Sequence, residues 1–154
     1  MTLRFKCMLI LVILTLCFIW GNSMLSSEQS AHMSDAVTEW MGGIPSDEQP
    51  TPDAPWFRQD HLIVRKSAHL LEFMLLGCEL ALLMGGLALG YWHRIGVLAF
   101  CGLLCSLVDE TIQIFSHRTA AIVDVWIDIL GYTVGCLLAM LILRWSMYYR
   151  AKIK

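Results

Sequence analysis

Ser67-Ala68-His69-Leu70-Leu71-Glu72-Phe73-Met74-Leu75-Leu76-Gly77-Cys78-Glu79-Leu80-Ala81-Leu82-Leu83-Met84-Gly85-Gly86-Leu87-Ala88-Leu89 is the stretch that decides the fold. About 20 mostly apolar residues are what a helix needs to cross a bilayer. His69, Glu72 and Glu79 interrupt the run, and Arg65 stands just before it. These four fall at i, i+4, i+7 and i+14, which is one helix face. A charge inside a membrane costs roughly 2.5–3.5 kcal/mol on insertion scales, so that face must turn inward onto other protein.

Working outward, three further apolar runs span about 7–25, 95–115 and 122–143. With 67–89 they predict an all-α integral membrane bundle of four transmembrane helices, a single domain over residues 1–154. Composition agrees: 57% of residues are hydrophobic and 16% charged, against nearly half and a quarter in soluble domains. The first run, preceded by Arg4 and Lys6, also has the form of a signal peptide. Gly21-Asn22-Ser23-Met24 offers no clear small-x-small cleavage site, which favours a retained helix. The six cysteines all lie in apolar runs, so they read as small interface residues rather than a disulfide framework. No basic stripe with interleaved aromatics supports nucleic-acid binding, and no GxxxxGK[ST], GxGxxG or CxxC pattern occurs.

Charge sets the expected topology, because basic residues favour the cytoplasmic side. With both termini cytoplasmic, the inner segments hold Arg4, Lys6, Arg94, Arg144, Arg150, Lys152 and Lys154. The outer segments hold Arg58, Arg65, Lys66 and Arg118. The outer loop, 22–61, carries Glu28, Asp35, Glu39, Asp47, Glu48, Asp53 and Asp60 against Arg58 alone. Trp92, Trp145, Tyr148 and Tyr149 form an inner aromatic belt, with Trp20 and Trp56 as outer anchors. Met33, Val37, Trp40 and Met41 recur at helical spacing, which suits a short amphipathic helix on the outer leaflet or a polar loop. The four prolines, Pro45 to Pro55, read as a stiff non-helical connector.

Polar groups recur in the other spans. Asp109 and Gln113 are one turn apart, with Glu110 beside them. Asp124, Asp128, Gly131 and Gly135 share a face. At 1.5 Å per residue, Glu72, Asp109 and Asp128 each sit roughly 8–9 Å inside the outer end of their helix, and Glu79 about 18 Å in. Three helices thus bring polar groups to one level. Gly131 and Gly135, four apart, let helices approach closely. The plain alternative for the layer is an ion-pair network that fixes helix register.

Two motifs carry a resemblance. Arg65-Lys66-Ser67-Ala68-His69-Leu70-Leu71-Glu72-Phe73 is one. The other is Asp109-Glu110-Thr111-Ile112-Gln113-Ile114-Phe115, then Arg118, then Asp124-Val125-Trp126-Ile127-Asp128 and Gly131. Together with Trp20-Gly21-Asn22-Ser23-Met24 they resemble the VanZ-like membrane protein family over nearly the whole chain. The turn Ser116-His117-Arg118 departs from the family pattern, being one residue shorter and lacking a Pro-Gly before the arginine. The resemblance implies a role at the cell envelope. The family's namesake is associated with resistance to the lipoglycopeptide teicoplanin in Gram-positive bacteria, without remodelling of the peptidoglycan precursor terminus. No defined biochemical activity is implied.

Three readings of the layer stay open. In the first, it is an enzyme site for a lipid-linked or phosphate-bearing substrate at the outer leaflet. His69, Glu72, Asp109 and Glu110 are then the catalytic candidates, with His69 as general acid or base. Arg65, Lys66, Gln113 and Arg118 are the binding candidates, the bases gripping phosphate. Asp109, Glu110, Asp124 and Asp128 offer oxygen ligands to a divalent cation. In the second, the same groups bind lipid or a lipoglycopeptide without turnover. In the third, the layer is structural.

Overall fold

The computed structural model describes residues 3–40, 55–116 and 122–153. Five helices occur there: α1 (Leu3–Ser23), α2 (Ser27–Trp40), α3 (Pro55–Gly85), α4 (Tyr91–Phe115) and α5 (Ile122–Ile153). Among the described residues there is no strand. Four helices are long and apolar enough to cross a membrane: Leu3–Ser23, Ile63–Gly85, Tyr91–Phe115 and Ile122–Tyr149.

Burial is inverted relative to a soluble domain. Ile10, Leu14 and Phe18 of α1, Phe100 and Leu104 of α4, and Leu137 and Leu141 of α5 are all exposed. The interior instead holds Thr15, Ser23, His69, Glu79, Ser106, Asp109, Glu110, Gln113, Asp124 and Asp128 beside Phe73, Leu76 and Ala139. Apolar surface outside with polar groups inside is the arrangement that lipid as solvent favours.

Polar contacts give the helix directions. The C-terminal end of α1 meets the C-terminal end of α4 through Ser23 and Asp109. The same ends meet the first part of the Ile63–Gly85 span of α3 and the N-terminal part of α5, where His69 approaches Asp109 and Asp128. α1 and α4 therefore run one way, and α3 and α5 the other. The most extensive packing is between α3 and α5. Glycine makes it possible: a Cβ on Gly131 would strike the Leu70 carbonyl, and one on Gly135 the Met74 carbonyl. The expected close approach at Gly131 and Gly135 is thus met, and Gly77 repeats it from α3 against the Tyr132 carbonyl.

Several boundaries differ from expectation. α3 begins at Pro55, so this proline opens a helix instead of belonging to a non-helical connector. Proline suits a first helical position, where its missing N–H has no intrahelical acceptor to lose. Pro45, Pro50 and Pro52 lie outside the described residues. α3 ends at Gly85, before Leu89, where Gly86 N donates to the Leu83 carbonyl in a tight turn (3.2 Å). α5 runs to Ile153, well past 143, carrying Trp145 stacked on Tyr149 beyond the apolar run. The helical alternative for Met33, Val37 and Trp40 is the one observed, as α2; Met41 lies outside the described residues. All six cysteines are free thiols.

Candidate polar site

The site is assembled from four helices. On α4, Leu98, Gly102, Ser106, Asp109, Glu110 and Gln113 form one buried stripe. Its polar half lies at the C-terminal end of α4. On α3, one turn separates Arg65 from His69, so both reach the same level. On α5, Asp124 and Asp128 are likewise a turn apart.

At the centre stand His69, Asp109 and Asp128. His69 Nδ1 lies 3.7 Å from Asp109 Oδ2 and 3.6 Å from Asp128 Oδ1. One ligand atom from each of the three lies within 4.8 Å of the others, close enough to share one metal ion. Asp109 is fully buried and Asp128 is 1% exposed. Neutral donors fix both carboxylates. Ser23 Oγ donates to Asp109 Oδ1 (2.5 Å) and Gln113 Nε2 to Asp109 Oδ2 (2.8 Å). Ser106 Oγ donates to Asp128 Oδ2 (2.9 Å). The other oxygen, Asp128 Oδ1, accepts no hydrogen bond among the described residues and faces His69.

A rim of charge borders this centre. Arg65 Nη2 donates to Asp124 Oδ2 (3.3 Å), and Lys66 Nζ lies 3.6 Å from Asp124 Oδ1. Lys66 is the more exposed of the two bases. Glu72 is tied to α1 by Asn22 Nδ2 (2.7 Å). Deeper in the bundle, Thr15 Oγ1 donates to Glu79 Oε1 (2.9 Å), again joining α1 to α3. A small cavity of about 100 Å³ adjoins the site. Asn22, Arg65, His69 and Glu72 line one wall, and Met33 and Val37 of α2 the other.

The residues singled out from sequence sort as follows. His69, Asp109, Asp128 and Gln113 converge. Of the four acids proposed as cation ligands, Asp109 and Asp128 are in the cluster, Asp124 pairs with Arg65 and Lys66, and Glu110 is buried at 8% exposure. Arg118 lies outside the described residues. Ser23, Asn22, Ser106 and Thr15 are not among the residues that spacing alone picks out, although each binds a carboxylate of the layer or of the deeper bundle. Their signal is positional. Ser106 is three residues before Asp109, and Thr15, Ile19 and Ser23 recur every fourth residue on the buried face of α1.

The VanZ/LLP1 family model matches residues 8–144, nearly the whole chain and every helix of the site. The chain belongs to the VanZ/LLP1 family. No curated protein and no solved structure matches it significantly. Family membership and four apolar helices make this a multi-pass membrane protein. The matched region contains each converging residue, from Ser23 to Asp128.

Electrostatically, the described part of the layer has an excess of acid. The layer holds five acids, Glu72, Asp109, Glu110, Asp124 and Asp128, and two permanent bases, Arg65 and Lys66, both on Asp124, with His69 the remaining titratable base. Carboxylates this close repel unless one is protonated, paired with a base or bound to a cation. A cation held by one imidazole nitrogen and two carboxylate oxygens would relieve the repulsion, and that mixed donor set suits zinc or manganese better than calcium.

Proposed function

We propose that this single-domain chain is a cell-envelope protein of the bacterial cytoplasmic membrane, with both termini cytoplasmic. Its polar site receives the phosphate-bearing headgroup of a lipid-linked substrate at the outer leaflet. The observation that carries this reading is the buried convergence of His69, Asp109 and Asp128 beside the Arg65–Lys66–Asp124 rim.

Each group has a role. Arg65 uses one nitrogen on Asp124 and keeps further donors for phosphate oxygens; Arg118, three residues after Phe115 in the sequence, is the further candidate base. Lys66 adds charge from its more exposed position. His69, Asp109 and Asp128 would hold a divalent cation, which would supply Lewis acidity toward a phosphoryl oxygen. His69 is the alternative proton carrier in the metal-free site, Glu72 and Glu110 adding negative charge around it. α2 covers the cavity with Met33 and Val37, its remaining apolar residues turned to the leaflet surface. The same site suits a lipoglycopeptide bearing an acyl chain, which is the link to teicoplanin resistance.

A second reading is favoured by different bonds. Ser23–Asp109, Asn22–Glu72 and Thr15–Glu79 each fasten α1 to the bundle, as a structural polar layer would. Complementation separates the two. A strain lacking the gene receives His69→Gln or Asp128→Asn, and teicoplanin susceptibility is read beside the protein's abundance and melting temperature. Function predicts lost complementation by abundant, stable protein. Complementation at the wild-type level by both variants would overturn the proposal.

A further inference from the structure

The second large feature lies at the opposite end of the bundle. Arg94 precedes Asp109 by fifteen residues along α4, which is about 22 Å. There, α3, α4 and α5 line a half-open cavity of about 590 Å³. Its walls are apolar, including Ala81, Leu98, Leu137 and Met140, and Arg94 and Arg144 are its charged lining. A volume of roughly 300–1,000 Å³ is typical of ligand sites.

Among the described residues, no ion pair joins Arg94 or Arg144 to an acidic side chain. The sequence has no Asp or Glu at 1–27, 80–108 or 129–154, the segments that build it. Those segments nonetheless carry Arg4, Lys6, Arg94, Arg144, Arg150, Lys152 and Lys154. Arg94 spends Nη2 on the Leu87 carbonyl (2.7 Å), while its buried Nε meets no acceptor among the described residues. A buried guanidinium nitrogen without an acceptor costs free energy. Tyr91, Trp92, Trp145 and Tyr149 stand around the same ends of α4 and α5, exposed as interfacial aromatics are.

We infer that the cavity is a binding site for an anionic phospholipid, with an acyl chain on the apolar walls and the phosphate on Arg94 and Arg144. Arginine's planar fork fits a phosphate group, and basic pockets between membrane helices are suited to acidic headgroups. Zwitterionic lipids carry the same phosphate with a cation beside it, so this acid-free basic end discriminates against them.

The test is lipid retention by the purified full chain, measured by native mass spectrometry with phosphatidylglycerol and phosphatidylcholine of identical chains. Phosphatidylglycerol should bind more tightly. Arg94→Gln should weaken it roughly fivefold, and Arg94→Gln with Arg144→Gln roughly thirtyfold, at about 1 kcal/mol per base. Leu137→Trp, which fills the cavity from an exposed position and leaves both arginines, should also reduce retention. Arg4→Gln with Lys6→Gln, outside the cavity lining, should leave it unchanged. Equal retention of the two lipids would overturn the inference. So would an equal loss from Arg4→Gln with Lys6→Gln, which would mean diffuse charge attraction, or unchanged retention in Leu137→Trp.

Discussion

Asp128→Asn is the substitution whose outcome the geometry constrains most. Two ligand atoms on one tetrahedral ion, at bonds of about 2.0–2.2 Å, stand roughly 3.3–3.5 Å apart. His69 Nδ1 is already 3.7 Å from Asp109 Oδ2 and 3.6 Å from Asp128 Oδ1, so these two pairs need close by only a few tenths of an ångström, with the ligand atoms of all three residues within 4.8 Å of one another. Asparagine keeps an oxygen for the Ser106 hydroxyl and removes the charge. Groups that merely orient a metal ligand are worth about 10–100-fold in affinity, so losing the ligand itself should cost at least about 100-fold. Asp124→Asn should leave affinity near wild type, because Asp124 belongs to Arg65 and Lys66. The assay is zinc and manganese titration of chelator-stripped protein, with melting curves recorded metal-free. If Asp128 instead serves as a buried ion-pair partner, its loss should cost about 3–5 kcal/mol. That corresponds to a fall of roughly 6–20 °C in melting temperature at this chain length. Unchanged metal affinity in Asp128→Asn, or such a fall without metal, would refute the cation site.

Other consequences are equally concrete. An impermeant thiol reagent applied to intact cells should label Ser46→Cys and spare Lys152→Cys; the reverse pattern would invert the proposed orientation. Gly135→Ala places a methyl against the Met74 carbonyl and the Cys78 nitrogen, so α3 and α5 must separate, at a cost of about 1–3 kcal/mol seen as earlier melting. Arg118→Lys should keep fold and abundance while complementation falls, because lysine cannot form the guanidinium's double contact with phosphate; full complementation would remove Arg118 from the site.

The fold is legible in the sequence because lipid imposes a simple pattern. Long apolar runs announce the spans, and helical periodicity alone puts Arg65, His69 and Glu72 on one face. Helix direction then requires Asp109 and Asp128 to meet them at one level. Pairing is harder to read, since periodicity gives a residue's face but not its neighbour. Asp124 and Asp128 share a face, yet one meets Arg65 and Lys66 and the other His69. The hydroxyl donors are harder still. Ser23 and Ser106 are small residues in apolar runs, where packing alone accounts for a serine, and only the buried carboxylate beside each gives it a polar purpose. Pro55 misleads because proline breaks a helix interior but suits its first residue.

Direct binding tests the central claim, that the polar layer is a headgroup site. Retention of a polyprenyl phosphate should be compared with that of the parent polyprenol in Arg94→Gln, Arg144→Gln protein, so that the opposite cavity is silenced. The phosphate should increase affinity at least about tenfold through its contacts with charged donors. Adding Arg65→Gln and His69→Gln should abolish that difference while the melting temperature holds. Equal retention of the phosphate and the alcohol, or a phosphate preference that survives both substitutions, would contradict the account.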